Sequence, residues 1–401
     1  MERLATFALA LAACGCSSLP ERRPEDSGPP GGETGRSDSE ATDTGTALEP
    51  ATPTPLADAT PGWFGQLAYS PVADAWLVVS QAGGIAGRVM GRDGSPRTDV
   101  FAISPADQSA SWAPSVAYAP GADLFLVVWV DYTSGWQAWG RFVGSDGAVR
   151  GAAFALALDQ PIPNQGGDRT SALAWDEARA RFVYAWHGTH LVTIDLEGAL
   201  GPVVDLVDAS PDEHWGASVA VDPDAGEYCV AYDRRNDASF GLTPVDAATS
   251  TAGAESTVGI TTTNALVVHN ALERRYLVVY DTGYVSGVKA LLLGSCDLGD
   301  VVAAFDVLPG IGTAAAWNPR SDQYAVIAQN AADDGNTWVV LDATGAVLAS
   351  GDPFLGDSEG NYAPEIAPDT ADGSFAAISS REYAQTRFVA GLGFQVAGGR
   401  R

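Results

Sequence analysis

Residues 114–129 read PSVAYAPGADLFLVVW, and this stretch decides the fold. A small-residue segment ends on Tyr118, a turn rich in Pro, Gly and Asp follows, and Phe125, seven residues after Tyr118, opens an apolar run. The same pattern recurs along the chain. Tyr69, Tyr118, Trp175, Val221, His269, Trp317 and Pro368 are its anchors, and Trp76, Phe125, Phe182, Tyr228, Tyr276, Tyr324 and Phe375 each stand seven residues later. Ala precedes six of the anchors and Val268 precedes His269, so a small residue suits a strand packed where repeats converge on an axis. A unit of 46 to 57 residues signals a repeat architecture, because one such unit cannot bury its own apolar faces.

Each unit reads as four strands. The first ends at the anchor and the second is the apolar run, whose two alternating faces are both apolar and therefore both covered. Strands three and four form a hairpin around turns such as Asp93-Gly94, Asp146-Gly147, Glu197-Gly198 and Thr344-Gly345. Fourth strands are expected at 100–103, 154–157 and 203–206. Seven such units resemble an all-β, seven-bladed β-propeller with four-stranded antiparallel blades, over residues 54–397. The last unit ends after its third strand, so the segment from Pro53 to Asp58 is expected to supply the missing outer strand and close the ring. The units lack the Asp-rich loops of integrin-like repeats, the Gly-His and Trp-Asp pair of WD40 repeats and the paired glycines of kelch repeats. The pattern is similar to propellers of extracytoplasmic bacterial lipoproteins, a likeness that carries no activity.

The N-terminus has the run 4–13, too short to span a bilayer and of signal-peptide length. Leu11-Ala12-Ala13-Cys14 resembles the lipobox of bacterial lipoproteins, which implies cleavage of 1–13 and acylation of Cys14. Residues 14–53 hold Pro, Gly, Ser, Thr and acidic residues with almost no large apolar ones, a composition expected to form a disordered tether. The folded part is then 54–401, held outside the cytoplasm at the bacterial cell envelope by a membrane-inserted lipid. The formal charge is −28 and Lys289 is the only lysine, which argues against nucleic acid as a partner. Beyond Cys14 and its neighbour Cys16, the cysteines are Cys229 and Cys296. Cys229 lies mid-strand and Cys296 in a hairpin turn of the next repeat, and the spacing leaves their pairing open.

Six residues before the anchor, at the entry of the first strand, four repeats carry an aromatic: Trp63, Trp112, Trp215 and Tyr362. Up-and-down strand order puts His187, His190 and His214 on the same face. With Asp131, Asp233, Arg234, Arg235 and Asp281 nearby, these aromatics read either as a rimmed pocket for a sugar or peptide or as covers over the blade ends. The histidines lack matching Cys or carboxylate spacing, so no metal or other cofactor is expected. His269, at an anchor position, is expected to be a packed core histidine. No G-x-S-x-G, H-E-x-x-H or phosphate-loop motif is present. The chain is therefore read as a monomeric, non-catalytic propeller binding an envelope protein or glycan. The alternatives are a carbohydrate-active hydrolase or lyase working through Asp131, Glu213, Asp233, Asp281 and Glu382, and a structural envelope component.

Overall fold

The computed structural model describes residues 48–396, apart from 55–56, 110, 134–136, 157–172, 187–189, 208–213, 235–238, 260–264, 283–286, 330–334, 353, 355–360 and 382–384. Among the described residues every regular element is a β-strand. Seven antiparallel sheets follow one another, with first strands Trp63–Ser70, Ser111–Ala119, Leu173–Asp176, His214–Asp222, Leu266–Asn270, Ile311–Asn318 and Asn361–Pro368. These first strands touch in chain order, and the seventh returns to the first. The molecule is a seven-bladed β-propeller.

The offset of seven has a direct cause. Each anchor lies opposite its aromatic across the first hairpin: Tyr69 faces Trp76, Tyr118 Phe125, Trp175 Phe182, Val221 Tyr228, His269 Tyr276, Trp317 Tyr324 and Pro368 Phe375. Cross-strand aromatic pairs stabilise a sheet locally. Here the ring centroids are 4.8 Å apart in Tyr69–Trp76, Tyr118–Phe125 and His269–Tyr276. The residue after the anchor fixes the turn. Asp222 Oδ1 accepts from the backbone N–H groups of Asp224 and Ala225, and Asn270 Oδ1 accepts from those of Leu272 and Glu273. This is how an Asx side chain substitutes for a backbone turn.

The core lies between blades. Each of seven hydrophobic clusters draws on two neighbouring blades. One joins Leu126 and Phe142 of the second blade to Phe182 and Tyr184 of the third; the ring-closing one joins Trp76 and Met90 to Ile378 and Phe388. The second strands are accordingly buried on both faces, and Trp76, Phe182, Tyr228, Tyr324 and Phe375 have no exposed surface. Truncating one of these phenylalanines to Ala removes about 3–5 kcal/mol of stability.

The turn between strands three and four of one blade lies against the preceding blade. In the sixth blade Gly345, at φ 89°, approaches the Phe305 ring of the fifth so closely that a Cβ would sit 2.4 Å from it. Only glycine tolerates both the backbone angle and the contact. The seam between the fourth and fifth blades is covalent instead. Cys229 and Cys296 form a disulfide, which answers the question the spacing left open. The outer position of the fourth blade is also irregular, because two short strands, Thr251–Ala252 and Ser256–Val258, share it by pairing with Ser239–Asp246.

Ring closure follows the expected plan with a shifted register. The outer strand of the seventh blade is Ala57–Pro61, paired with Gln385–Leu392, rather than 53–58. Pro53 carries no N–H to donate to a ladder, and Thr54 meets Ala390 through one backbone bond and its hydroxyl. Farther upstream Leu48–Pro50 pairs with Phe394–Val396, so ordered structure begins ahead of the expected boundary at 54. Two fourth strands are also shorter than read: Phe101–Ala102 and Val204–Asp205. The remainder of the tether, the signal segment and Cys14 lie outside the described residues.

The Cys229–Cys296 bond closes a loop with a sequence separation of 67 residues. Cys229→Ala is expected to lower stability by about 2–4 kcal/mol, read from thermal melts under oxidising conditions. A reducing agent should bring the unmodified chain down to the same Tm, and a melt indifferent to both changes would contradict the bridge's role.

Candidate functional site

Bulges shape the entry end of the first strands. The register shifts between Trp63 and Gln66, Trp112 and Ser115, Trp215 and Ser218, Ile311 and Ala314, and Tyr362 and Glu365. A residue in the left-handed region allows the shift. In the fourth and sixth blades that residue is Gly216 or Gly312, at φ 58° and 60°. In the first and second it is Phe64 or Ala113, both at φ 47°, where a side chain costs about 1–2 kcal/mol. The strained backbone at Phe64 accompanies an aromatic contact. The Phe64 ring lies 5.6 Å from Trp112, whose own ring meets Tyr132 edge-on at 5.4 Å. All three side chains are partly exposed, and burial pushes the Tyr132 hydroxyl up to about 12.

Asp131 and Asp281 each end a second strand and Asp233 is the last residue but one of another, and all three are buried, at 1%, 0% and 7% exposure. Two of them tie one blade to the next. Asp233 Oδ1 accepts from Ala265 N at 3.1 Å, and Asp281 Oδ2 accepts from Gly312 N at 3.1 Å. Asp131 accepts from the Thr133 hydroxyl at 2.5 Å. Arg234 pairs with Glu255 at 3.2 Å, and Glu255 also accepts from Tyr232. His190 opens the third strand of its blade opposite Trp186, is 8% exposed, and holds Asp205 through Nδ1 at 2.9 Å.

Trp63, His214, Trp215 and Tyr362 occupy strand positions opposite Gln81, Arg234, Asp233 and Ser380. His187 and Arg235 lie outside the described residues. Among the described residues there is no group of three or more His, Cys, Asp and Glu side chains placed to hold a metal ion.

The seven anchors line a second feature. They form a collar around a central cavity of about 500 Å³ whose walls are the first strands of all seven blades. Carboxylates hold the collar rings. The Tyr69 and Tyr118 hydroxyls donate to Asp74 and Asp123 at 2.6 Å, and the Trp317 indole donates to Asp322 at 3.2 Å. His269 is buried in its blade, as expected, yet it also forms part of this wall. Its Nε2 lies 3.3 Å from Asp222 Oδ2, and burial lowers its pKa against the opposing pull of that carboxylate. Deeper in the cavity wall, Gln66 of the first blade donates to Glu365 of the seventh at 2.7 Å, both largely buried. The repeat pattern located these residues without saying that they face a shared space. The Asp five residues after Tyr69, Tyr118 and Trp317 is the sequence signal for the collar.

A third feature lies where the ring closes. Arg92, in the strand-three-to-four turn of the first blade, donates to Asp369 of the seventh at 2.6 Å and also pairs with Asp74 and Asp372. These groups line a cavity of about 370 Å³ together with Thr52 and Thr54 of the N-terminal segment. Burial, reinforced by the Asp372 charge and opposed by Arg92, raises the Asp369 carboxyl to about 6.

No family model matches the sequence, and no curated protein is similar to it in sequence. Among solved structures the chain is similar to Kuenenia stuttgartiensis Hydrazine Synthase, with a TM-score of 0.58 at 14% identity. The match covers 81% of this chain and 95% of that one. At this identity the likeness concerns the fold alone.

Because the Asp369 carboxyl titrates above its ordinary value of 3.8, the folded state binds this proton more tightly than the unfolded chain does. Its stabilising contribution is complete below about pH 4 and is lost as the pH rises to about 6. Asp369→Asn keeps an acceptor for the turn N–H groups and does not titrate. The stability of the unmodified chain relative to this variant is therefore expected to fall between pH 4 and 6, by up to about 3 kcal/mol, and to level off above pH 7. Denaturant melts at stepped pH measure this, and a difference that stays constant or rises would contradict it.

Proposed function

We propose that this chain is a non-catalytic binding propeller, held at the bacterial cell envelope through a lipid on Cys14, whose strand-entry face receives a protein or glycan partner. The observation that carries this reading is the Phe64–Trp112–Tyr132 array. Two neighbouring blades accept a strained backbone at Phe64 and Ala113 where the fourth and sixth use glycine, and the strained Phe64 is in ring contact with Trp112. Non-glycine residues in this conformation cluster at ligand clamps, and partly exposed aromatic rings are platforms for sugars and for peptide side chains. Trp63, Trp215 and Tyr362 would extend the platform, with His187, His190, His214, Arg234 and Arg235 as polar contacts at its edge. The engagement of buried Asp233 and Asp281 by backbone donors favours binding over hydrolysis, since a general acid or base must be free to exchange protons with a substrate.

Two measurements test the two halves of this reading. Phe64→Gly relieves the backbone strain while removing a ring, and Trp112→Ala removes the central ring. Both are expected to weaken capture of envelope glycans or proteins at least ten-fold, with the Tm of Phe64→Gly unchanged or raised. Undiminished capture by both variants would refute the platform. Separately, Cys14→Ala is expected to move the protein from the membrane to the soluble fraction in fractionated cells. If the variant stays with the membrane, the lipid anchor is wrong.

A further inference from the structure

We infer that the central cavity is a second binding site, specific for a small organic cation that carries an apolar tail. The site runs along the first strands from the anchors to the bulge residues Gln66 and Glu365, and does not depend on the function proposed for the strand-entry aromatics. At about 500 Å³ it falls within the range of small-molecule pockets, roughly 300–1,000 Å³. Its walls supply three things such a ligand needs.

The first is an apolar lining. Ala117, Ala220, Ala316 and Ala367, the small residues one position before four of the anchors, keep the passage open, and Leu173 and Ile366 line it with them. The second is the sign of the charge. Glu365 and Glu177 are in the wall and no Lys or Arg is, among the described lining residues. His269, the remaining titratable cation, is driven toward its neutral form by burial. The third is the collar. Tyr69 and Tyr118, mostly buried between blades, and Trp317 line the cavity, and each donates a hydrogen bond to a carboxylate, Asp74, Asp123 and Asp322. Aromatic rings within about 6 Å of an ammonium attract it, more strongly when water is excluded.

Asp123 and Asp322 add attraction at the mouth, Asp74 being paired with Arg92, and Glu365 carries it inward. An anion of the same shape would meet the Glu177 and Glu365 carboxylates with no Lys or Arg among the described lining residues to balance them. A neutral ligand would use the apolar wall without the charge. The chemistry therefore selects a cation with a tail over its isosteres, and the length of the apolar passage sets how long that tail can be.

Titration calorimetry of the full chain with alkyltrimethylammonium ions, below their micelle concentrations, tests this. Decyltrimethylammonium is expected to bind at one per chain, and decyl sulfate at least ten-fold more weakly. Each added pair of methylenes should raise affinity roughly ten-fold until the tail outgrows the passage. Glu365→Gln, which keeps an acceptor for Gln66, should weaken the cation at least ten-fold and strengthen the sulfate, narrowing the difference between them. Ala316→Phe, which fills the passage, should abolish binding of both.

Because a net charge of −28 attracts cationic amphiphiles everywhere, location is measured directly on the unmodified chain. A diazirine-bearing decyltrimethylammonium, mapped by mass spectrometry, should label first-strand residues around Ala316 and Ala367. Equal affinity for ammonium and sulfate, cation binding unaffected by Glu365→Gln, or label spread over the outer surface would each overturn the proposal. The labelling result stands even if Ala316→Phe fails to fold.

Discussion

A single blade of this propeller has two apolar faces and can cover neither by itself. Every hydrophobic cluster therefore spans two blades, and the ring exists because coverage has to be mutual all the way round. The anchor and its aromatic are the local expression of that demand. They pair across the first hairpin of each blade, and the aromatic then enters the space shared with a neighbour. Remove the mutual burial and what is left is a set of hairpins, each marginal in water.

With the faces covered in one common way, the seams are free to differ. Three use a turn glycine against a phenylalanine (Gly147 at Phe101, Gly198 at Phe154, Gly345 at Phe305), one a disulfide, and the closing one an arginine among three carboxylates. The disulfide stands beside the blade whose outer position is split between two short strands, where an ordinary outer strand is not available to pack. The arginine seam joins the ends of the chain, where Asp369 is kept above its ordinary pKa by burial even with a guanidinium against it. Burial of a carboxylate costs more there than the ion pair returns, as is common for enclosed pairs.

This division explains what the sequence disclosed. Tyr118 and Phe125 are close along the chain, so their pairing leaves a fixed spacing that can be counted, and the blades follow from it. Cys229 with Cys296, Arg92 with Asp369 and Gln66 with Glu365 are distant in sequence, and no periodicity marks such partners. The central cavity was hidden for a related reason. His269 reads as a core residue because it packs on Tyr276, yet a first strand is also the wall of the axis, and one spacing serves both purposes. At the entry face, aromatic recurrence pointed to Trp112, but Phe64 is off that register. Only the backbone angle at the bulge shows why its ring reaches Trp112. Asp233 and Asp281 looked like ligand contacts from their place after the second strand, and their bonds to the next blade's backbone appear only once the blades are side by side.

The outer strand of the seventh blade, Ala57–Pro61, comes from the beginning of the chain, and its partner Gln385–Leu392 from the end. Synthesis therefore separates the two halves of this pairing by nearly the whole length of the protein. A nascent chain can stack its early blades, but the exposed edge of the last blade and the uncovered face of the first persist until the C-terminal residues emerge. Contacts this distant carry the largest loop-closure entropy and form last. Completion of the ring is thus a single late event, and a chain that lost its C-terminal strands would leave two sticky faces open rather than one blade missing.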